Sequence, residues 1–225
     1  RDWQNTETLF GHCLSVTKNN FVAHNILGAW LARNARFDEA KNHFLESLRI
    51  APAHPDSLNN LGVLLAEHGE TDEALGYLRE ATRLKPQQAR VFGKLGWALD
   101  SQGKTERAIV FYREALRVQP DDVQICNNVA WLLATSAEPK LRDGDAAVKW
   151  AEHACALTSF GQAPLMGTLA AAYAEAGRFE DAVAMAEKAI GVAQAAGQND
   201  VRERNRQLVE LYRAGKAFRE GMNAK

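Results

Sequence analysis

The chain has 225 residues, of which 46% are hydrophobic and 24% are charged, and its formal net charge is −1. This composition is typical of a soluble folded protein, and the near-neutral charge excludes a general electrostatic attraction to nucleic acid or to an anionic membrane. No stretch approaches the roughly 18 consecutive apolar residues of a membrane span, and no signal-peptide pattern opens the chain.

The first predicted element is a single helix within residues 1–20. Its apolar side chains cannot all face one side of a helix, so we expect some of them to remain exposed and to allow weak self-association through this edge. These side chains are Trp3, Leu9, Phe10, Leu14 and Val16. Because the chain begins with Arg1 and not Met, we also expect it to be part of a longer protein.

Three units of 34 residues follow, at 21–54, 55–88 and 89–122. Matching positions hold a Leu-Gly pair, an alanine and a proline. These residues are Leu27-Gly28, Leu61-Gly62 and Leu95-Gly96; Ala40, Ala74 and Ala108; and Pro52, Pro86 and Pro120. Apolar residues within each unit recur at helical spacing, which predicts two antiparallel helices whose small residues allow close packing. Residues 1–20 then correspond to the second helix of a truncated preceding unit.

The turn between the two helices of a unit also has a recognisable composition. Gly69 and Gly103 stand where the first helix must end, and glycine there can adopt a positive φ. Asp38 and Asp72 are candidates for capping the second helix. The proline at the end of each unit is expected to stop the second helix.

The later units are less regular. In the fourth, 123–162, Val129-Ala130 replaces the Leu-Gly pair, and residues 136–144 are predicted to form an enlarged loop. The fifth, 163–197, returns to the register of the first three. Residues 198–225 are predicted to form a capping helix and a tail. The stretch Val201–Phe218 has apolar residues on one side, and the helix is placed near Val201–Arg213. The Arg and Lys residues of this helix are interpreted as a solvated surface, with no nucleic-acid partner.

The repeated pattern resembles that of tetratricopeptide repeat (TPR) proteins. The resemblance implies an all-α fold, a right-handed TPR α-solenoid of helical hairpins with a C-terminal capping helix. It also implies that the first helices line a concave groove that binds another protein or an extended peptide.

A narrower resemblance concerns the parent protein. The segments 3–10 (WQNTETLF) and 20–28, together with 132–135 and 170–177, resemble the tails of bacterial multi-pass membrane proteins similar to transmembrane-and-TPR O-mannosyltransferases. This implies a position on the periplasmic side as part of a membrane protein, with a cytoplasmic position still open. The fragment itself is not expected to insert into the membrane. No catalytic residue of the membrane body lies in this chain, so no transferase activity carries over.

The sequence has no pattern typical of an enzyme. Cys13, Cys126 and Cys155 form no CxxC pair and are interpreted as small buried residues, although a bridge between Cys126 and Cys155 remains conceivable. No two of the six histidines lie three or four residues apart, so no helical metal-binding pair is predicted, and most are expected to be exposed. No Gly-rich phosphate loop or GxSxG motif occurs. We therefore predict no enzymatic activity, no cofactor and no metal.

The candidate binding residues occupy equivalent positions on the first helices. They are Asn25, Asp56, Asn59, Asn60, Arg90, Lys94, Trp97, Asn127, Asn128 and Trp131. An asparagine amide carries a donor and an acceptor, so a row of asparagines can bind an extended peptide backbone, similar to the asparagine ladder of some TPR superhelices. Eight of these residues, all except Asn25 and Asp56, are predicted to form one continuous concave patch.

Three alternatives stay open at this point. Asn60, Arg90 and Lys94 match part of the carboxylate clamp of chaperone-binding TPR domains, but Asn25 and Ala29 stand where that clamp needs Lys and Asn. Trp97 and Trp131 can be interaction residues or space-filling core. The main hypothesis is a peptide-binding scaffold, and the alternative is a structural element that packs on its own membrane domain or on other copies. An open groove favours the former, and a groove filled by the chain's own tail favours the latter.

Overall fold

The computed structural model describes residues 6–221, and over that range the chain is all-α with twelve α-helices and no strand. The helices are α1 Thr6–Val16, α2 Phe21–Arg33, α3 Phe37–Ile50, α4 Pro55–His68, α5 Thr71–Leu84, α6 Arg90–Ser101, α7 Thr105–Val118, α8 Val123–Thr135, α9 Gly144–Leu157, α10 Ala163–Glu175, α11 Phe179–Ala195 and α12 Asn199–Arg213. The predicted all-α fold class is confirmed. Within the described residues, no helix has the length and apolarity needed to cross a membrane.

The chain divides into two compact units, unit 1 (Arg1–Leu95) and unit 2 (Gly96–Lys225), with the boundary inside α6. Each unit has its own core of small and large apolar side chains. In unit 1 the alanines Ala40 and Ala74 are completely buried, and in unit 2 Ala108 is completely buried. Trp3, which the sequence places in the N-terminal helix, lies outside the described residues.

The Leu-Gly positions bring paired helices into close contact. In unit 1, a Cβ atom built on Gly62 would lie 2.6 Å from Leu78 Cγ. In unit 2, a Cβ atom on Gly96 would lie 2.6 Å from Tyr112 Cδ1. Both distances are too short for real Cβ contacts, so glycine is required for this packing. The predicted close approach at Gly62 and Gly96 is confirmed.

The turns inside the hairpins agree with the sequence in one respect and differ in another. Gly69 and Gly103 have φ angles of 100° and 71°, as the pattern predicts. The predicted capping by Asp38 and Asp72 is wrong, because both lie in the first turn, after N-cap residues that make no side-chain cap hydrogen bond. A carboxylate in the first turn instead stabilises the helix through the positive end of its dipole.

The C-terminal helix ends at a glycine turn. Helix α12 ends at Arg213, and Gly215 follows with a φ of 66°. The Lys216 N–H donates to the Leu211 carbonyl at 3.1 Å, which closes the helix with a Schellman-type turn. Phe218 therefore does not belong to the helix and lies in the segment beyond it.

The cysteines of unit 2 are part of the core. Cys126 and Cys155 are buried and unpaired. Burial raises the pKa of each thiol to about 11, so both are protonated at neutral pH. Their interpretation as small buried residues is confirmed, whereas for Cys13 it is wrong, because Cys13 is only partly buried.

Candidate functional site

The asparagines of unit 1 meet on neighbouring first helices. Asn25 lies in α2, and Asn59 and Asn60 lie in α4. Asn60 Nδ2 donates to Asn25 Oδ1 at 3.0 Å, and all three side chains are half-buried. Asparagine is unfavourable in the middle of a helix, so a cross-helix amide bond is one reason for its presence.

A cavity of about 450 Å³ lies between α2 and α4 beside these asparagines. We call it the α2–α4 cavity. Its walls combine the amides of Asn59 and Asn60 with the apolar side chains of Ala29 and Val63. Arg33 and Glu67 add a charge of each sign. Amide groups next to apolar side chains suit an extended peptide, which has backbone polar groups and apolar side chains in alternation.

The charged candidates of unit 1 differ in their hydrogen-bond partners and in their exposure. The carboxylate of Asp56 accepts hydrogen bonds from Lys85 Nζ at 3.0 Å and from Gln88 Nε2 at 2.7 Å. Asp56 thus already has partners at the start of α4. Arg90 and Lys94 are exposed on α6. The prediction of one continuous patch includes residues of both units and stays a prediction.

The two tryptophans of unit 2 have different surroundings. Trp97 is 65% exposed on α6, which is unusual for so large an apolar side chain. Trp131 on α8 is half-buried, and its Nε1 donates to Glu220 Oε1 at 2.5 Å. The ring of Phe218 lies 5.7 Å from that of Trp131, and the guanidinium of Arg204 lies 4.6 Å from its centroid. The chain's own C-terminal residues therefore cover Trp131 and leave Trp97 open.

The residues beyond α12 also cap helix α8. We call residues 216–221 the C-terminal segment. Its Glu220 N–H donates to the Thr135 carbonyl at 2.8 Å, and Arg219 Nη1 donates to the Ala134 carbonyl at 3.3 Å. Both carbonyls belong to the last turn of α8, where no intrahelical donor is available. Arg219 also forms an ion pair with Glu175 at 2.5 Å, which joins the segment to α10.

A second cavity, of about 390 Å³, lies in unit 2 between α8, α10 and α12. We call it the Asn205 cavity. Among its lining residues are Asp100, Asn127, Trp131, Arg204 and Asn205. Burial, followed by the nearby carboxylate of Glu220, raises the pKa of Asp100 above its ordinary value. The remaining candidate, Asn128, donates from Nδ2 to the Tyr112 hydroxyl at 3.2 Å and so helps to position the core.

The structure also pairs two histidines that the sequence did not bring together. His24 Nδ1 and His43 Nδ1 lie 2.9 Å apart on α2 and α3, beside an open cavity of about 670 Å³. Both are half-buried, as are His54 and His153, so the expectation that most of the six histidines are exposed is wrong. Burial lowers the pKa of each below the usual 6.5. No group of three or more metal-binding side chains occurs in the described residues.

Comparison with known proteins identifies the repeat. Two family models, both described as tetratricopeptide repeat, match residues 19–87 and 98–201, and together they cover well over half of the chain. A search of curated proteins finds no significant match.

Solved structures with the same fold include two proteins that align over most of their length. YrrB, described as a TPR protein with an unusual peptide-binding site, is 16% identical with a TM-score of 0.54, and the alignment covers 88% of this chain and 98% of YrrB. The MamA protein is 17% identical with a TM-score of 0.53, and the alignment covers 79% of this chain and 94% of MamA. At these identities the similarity concerns the fold.

Proposed function

Because the chain belongs to the tetratricopeptide repeat family, we propose that it is a non-catalytic scaffold that binds an extended segment of another protein on its first helices. The observation that carries the proposal is the α2–α4 cavity, where Asn59 and Asn60 stand beside apolar side chains. The exposed Trp97 supports it in unit 2, since tryptophan is enriched among residues that dominate interface energies. YrrB, a TPR protein with an unusual peptide-binding site, is an example of this use of the fold.

The chemistry of the α2–α4 cavity favours recognition of backbone over side chains. Each asparagine amide can donate to a peptide carbonyl and accept from a peptide N–H. The bond between Asn60 and Asn25 uses one donor of Asn60 and fixes the orientation of both amides. Amides that are fixed before binding lose less conformational entropy when the peptide arrives.

The proposal is tested by selecting binders from a phage-displayed library of random dodecapeptides. The affinity of the selected peptides is then measured by fluorescence anisotropy for the wild type and for Asn59→Ala and Trp97→Ala. We expect Trp97→Ala to weaken those peptides that contact unit 2 by on the order of 2 kcal/mol. Leu45→Ala and Leu157→Ala are matched controls, because both leucines are exposed on second helices, at 38% and 41%.

Controls that weaken binding as much as the two test variants would refute the assignment to the first helices. A library that yields no specific peptide would refute the proposed function itself. Unfolding curves of every variant show whether a loss of affinity reflects a loss of folded protein.

A second candidate function is favoured by the C-terminal segment. This segment covers Trp131, as expected for a structural element whose surface is occupied by its own chain. In that case the main contacts of the protein are with its own membrane domain or with other copies. The exposed Val16 on α1, at 65%, is a candidate contact for such packing.

We further propose that the chain is the periplasmic-side tail of a bacterial multi-pass membrane protein. The resemblance of residues 3–10 and 20–28 to such tails supports this proposal. Cys13 is partly exposed, whereas Cys126 and Cys155 are buried, so Cys13 is a natural probe. In cells that contain the parent protein, a membrane-impermeant maleimide should label the wild type and not Cys13→Ser. Labelling only after the inner membrane is broken would contradict this location.

A further inference from the structure

The Asn205 cavity has two side-chain oxygens without hydrogen-bond partners. Asn205 is only 2% exposed. Its amide nitrogen, Nδ2, donates to the Val201 carbonyl at 2.9 Å, so the amide atom without a partner is the oxygen, Oδ1. Among the described residues, neither Asn205 Oδ1 nor Asn127 Oδ1 has a partner. A buried acceptor without a donor is costly, so these two oxygens indicate a missing donor.

Several donors that line the cavity are already engaged elsewhere. Each of them makes a hydrogen bond within the chain, so these donors do not serve the two oxygens. These bonds run from Asn128 Nδ2 to the Tyr112 hydroxyl, from Trp131 Nε1 to Glu220 Oε1, from Asn205 Nδ2 to the Val201 carbonyl and from Thr168 Oγ1 to the Pro164 carbonyl.

The charges around the cavity also favour a cation. Asp100 and Glu220 contribute two carboxylates, and Arg204 contributes one guanidinium, which leaves an excess of one negative charge. Asp100 is partly buried, and its raised pKa reflects burial first and the Glu220 carboxylate second. The opposite charge of a bound cation would offset both effects and lower the pKa of Asp100.

We propose that the Asn205 cavity binds the ammonium group of a lysine side chain in the partner's extended segment, held by Asp100, Asn127 Oδ1 and Asn205 Oδ1. This inference rests on the proposed function, because it names a side chain that unit 2 recognises. An ammonium group has three donors and no acceptor, which matches a site with open acceptors.

The cavity favours lysine over arginine for a geometric reason. A guanidinium is planar and binds best by stacking on an aromatic face or by pairing with a carboxylate through two parallel bonds. The face of Trp131 is already occupied by the guanidinium of Arg204. Glu220 Oε1 already accepts from Trp131 Nε1. A compact ammonium needs neither surface.

The experiment uses Nα-acetyl-lysine N-methylamide as the probe, titrated into the ¹⁵N-labelled protein and followed by NMR. The side-chain resonances of Trp131, Asn127 and Asn205 report on the cavity. Three matched probes replace the lysine by Nε-acetyl-lysine, norleucine or arginine. Asp100→Asn removes the charge at nearly constant shape, and Asp121→Asn is its control, since Asp121 is exposed in the same unit and lies outside the cavity.

We expect saturable shifts with the lysine probe alone, and Asp100→Asn should weaken its binding about tenfold, whereas Asp121→Asn leaves it unchanged. Equal binding of the norleucine or acetyl-lysine probe would overturn the inference, and so would equal or tighter binding of the arginine probe. The absence of shifts would mean that water alone satisfies the two oxygens, which also overturns it.

If selected peptides bind through Trp97 without any lysine preference, the proposed function stands and this inference fails. If the lysine probe binds but no peptide is selected, the cavity binds an ammonium group, but the proposed function fails and so does the assignment of that lysine to a partner's segment.

Discussion

Single residues in this chain are constrained most strongly where two helices approach closely. Gly96 shows the constraint clearly, because its backbone lies against the ring of Tyr112, which is 1% exposed. The ring cannot move outward without breaking the contact between its hydroxyl and Asn128. Glycine is therefore selected here by packing, against its own poor helix propensity.

We predict that Gly96→Ala destabilises the protein by about 1–3 kcal/mol, because the added Cβ overpacks the contact with Tyr112 by more than the gain of about 1 kcal/mol in helix propensity. Urea unfolding measures the change. Gly191→Ala is the matched control, since Gly191 is an exposed glycine of α11 with open space around it, and it should be neutral or stabilising. A Gly96→Ala variant as stable as the wild type would show that the ring moves aside freely.

The pair His24 and His43 gives stability a pH dependence. Burial lowers the pKa of both below 6.5, so the unfolded chain binds more protons than the folded chain in slightly acidic solution. The contribution of the pair to stability is therefore present above the unfolded pKa and is lost as the pH falls below about 6.5. At lower pH, protonation of Glu39 and Glu46 destabilises further, because their arginine partners lower the pKa of each.

We predict that the free energy of unfolding falls between pH 7 and pH 5.5, and that a His24→Gln, His43→Gln variant loses much of this slope. Urea titrations at several pH values give the measurement. His12→Gln is the control, since His12 is an exposed residue of α1. An unchanged slope in the double variant would show that the pair does not control stability in this range.

Helices need partners for their terminal carbonyls, and α8 finds two of them in the C-terminal segment. Residues far apart in the chain meet here, since Trp131 and Glu220 are 89 positions apart. Arg219 contributes twice, by donating to the Ala134 carbonyl and by pairing with Glu175. Glu175 also accepts from Arg142 at 3.0 Å, so one carboxylate of low exposure joins the segment to the long turn before α9.

We predict that Arg219→Ala lowers the stability of the protein by about 1–3 kcal/mol, because a charge-assisted bond and a helix cap are lost together. Arg206→Ala is the matched control, since the pair of Arg206 with Glu203 is exposed and should contribute less than about 1 kcal/mol. The indole N–H resonance of Trp131 should shift in Arg219→Ala and stay in place in the control. Equal stabilities and an unmoved indole resonance would mean that the segment only rests on the surface.

At the scale of the whole molecule, the described N-terminal helix leaves apolar surface uncovered. Val16 is 65% exposed, and Phe10 and Leu14 are half-buried. In a repeat protein each hairpin buries its apolar face against its neighbours, and a helix with fewer packed neighbours exposes more of that face. The expected exposure at this edge is thus confirmed for Val16, and the self-association that it implies stays a prediction.

We predict weak, concentration-dependent self-association through α1, which sedimentation velocity over a range of concentrations measures. Val16→Ser should reduce it without loss of folding, because the side chain has little to contact in the monomer. Leu157→Ser is the control, at 41% exposure on α9. A wild type that sediments as a monomer at every concentration would contradict the prediction.

The sequence by itself determined the helices, their pairing into hairpins and the close contacts at Gly62 and Gly96. These features are local and repeat every 34 residues, so the same physical requirement is visible several times along the chain. The candidate residues of the first helices could also be recognised from their equivalent positions in successive units, although their surroundings could not.

Only the tertiary structure decided which of those residues are open to a partner. It exposed Trp97, covered Trp131 with residues 216–221, paired His24 with His43, and left Asn127 and Asn205 with open acceptors. These contacts join residues with no periodic relation to one another, and each depends on where a chain segment returns after a turn. Periodicity specifies the face of a helix that is buried. What lies against that face is decided by packing over the whole unit.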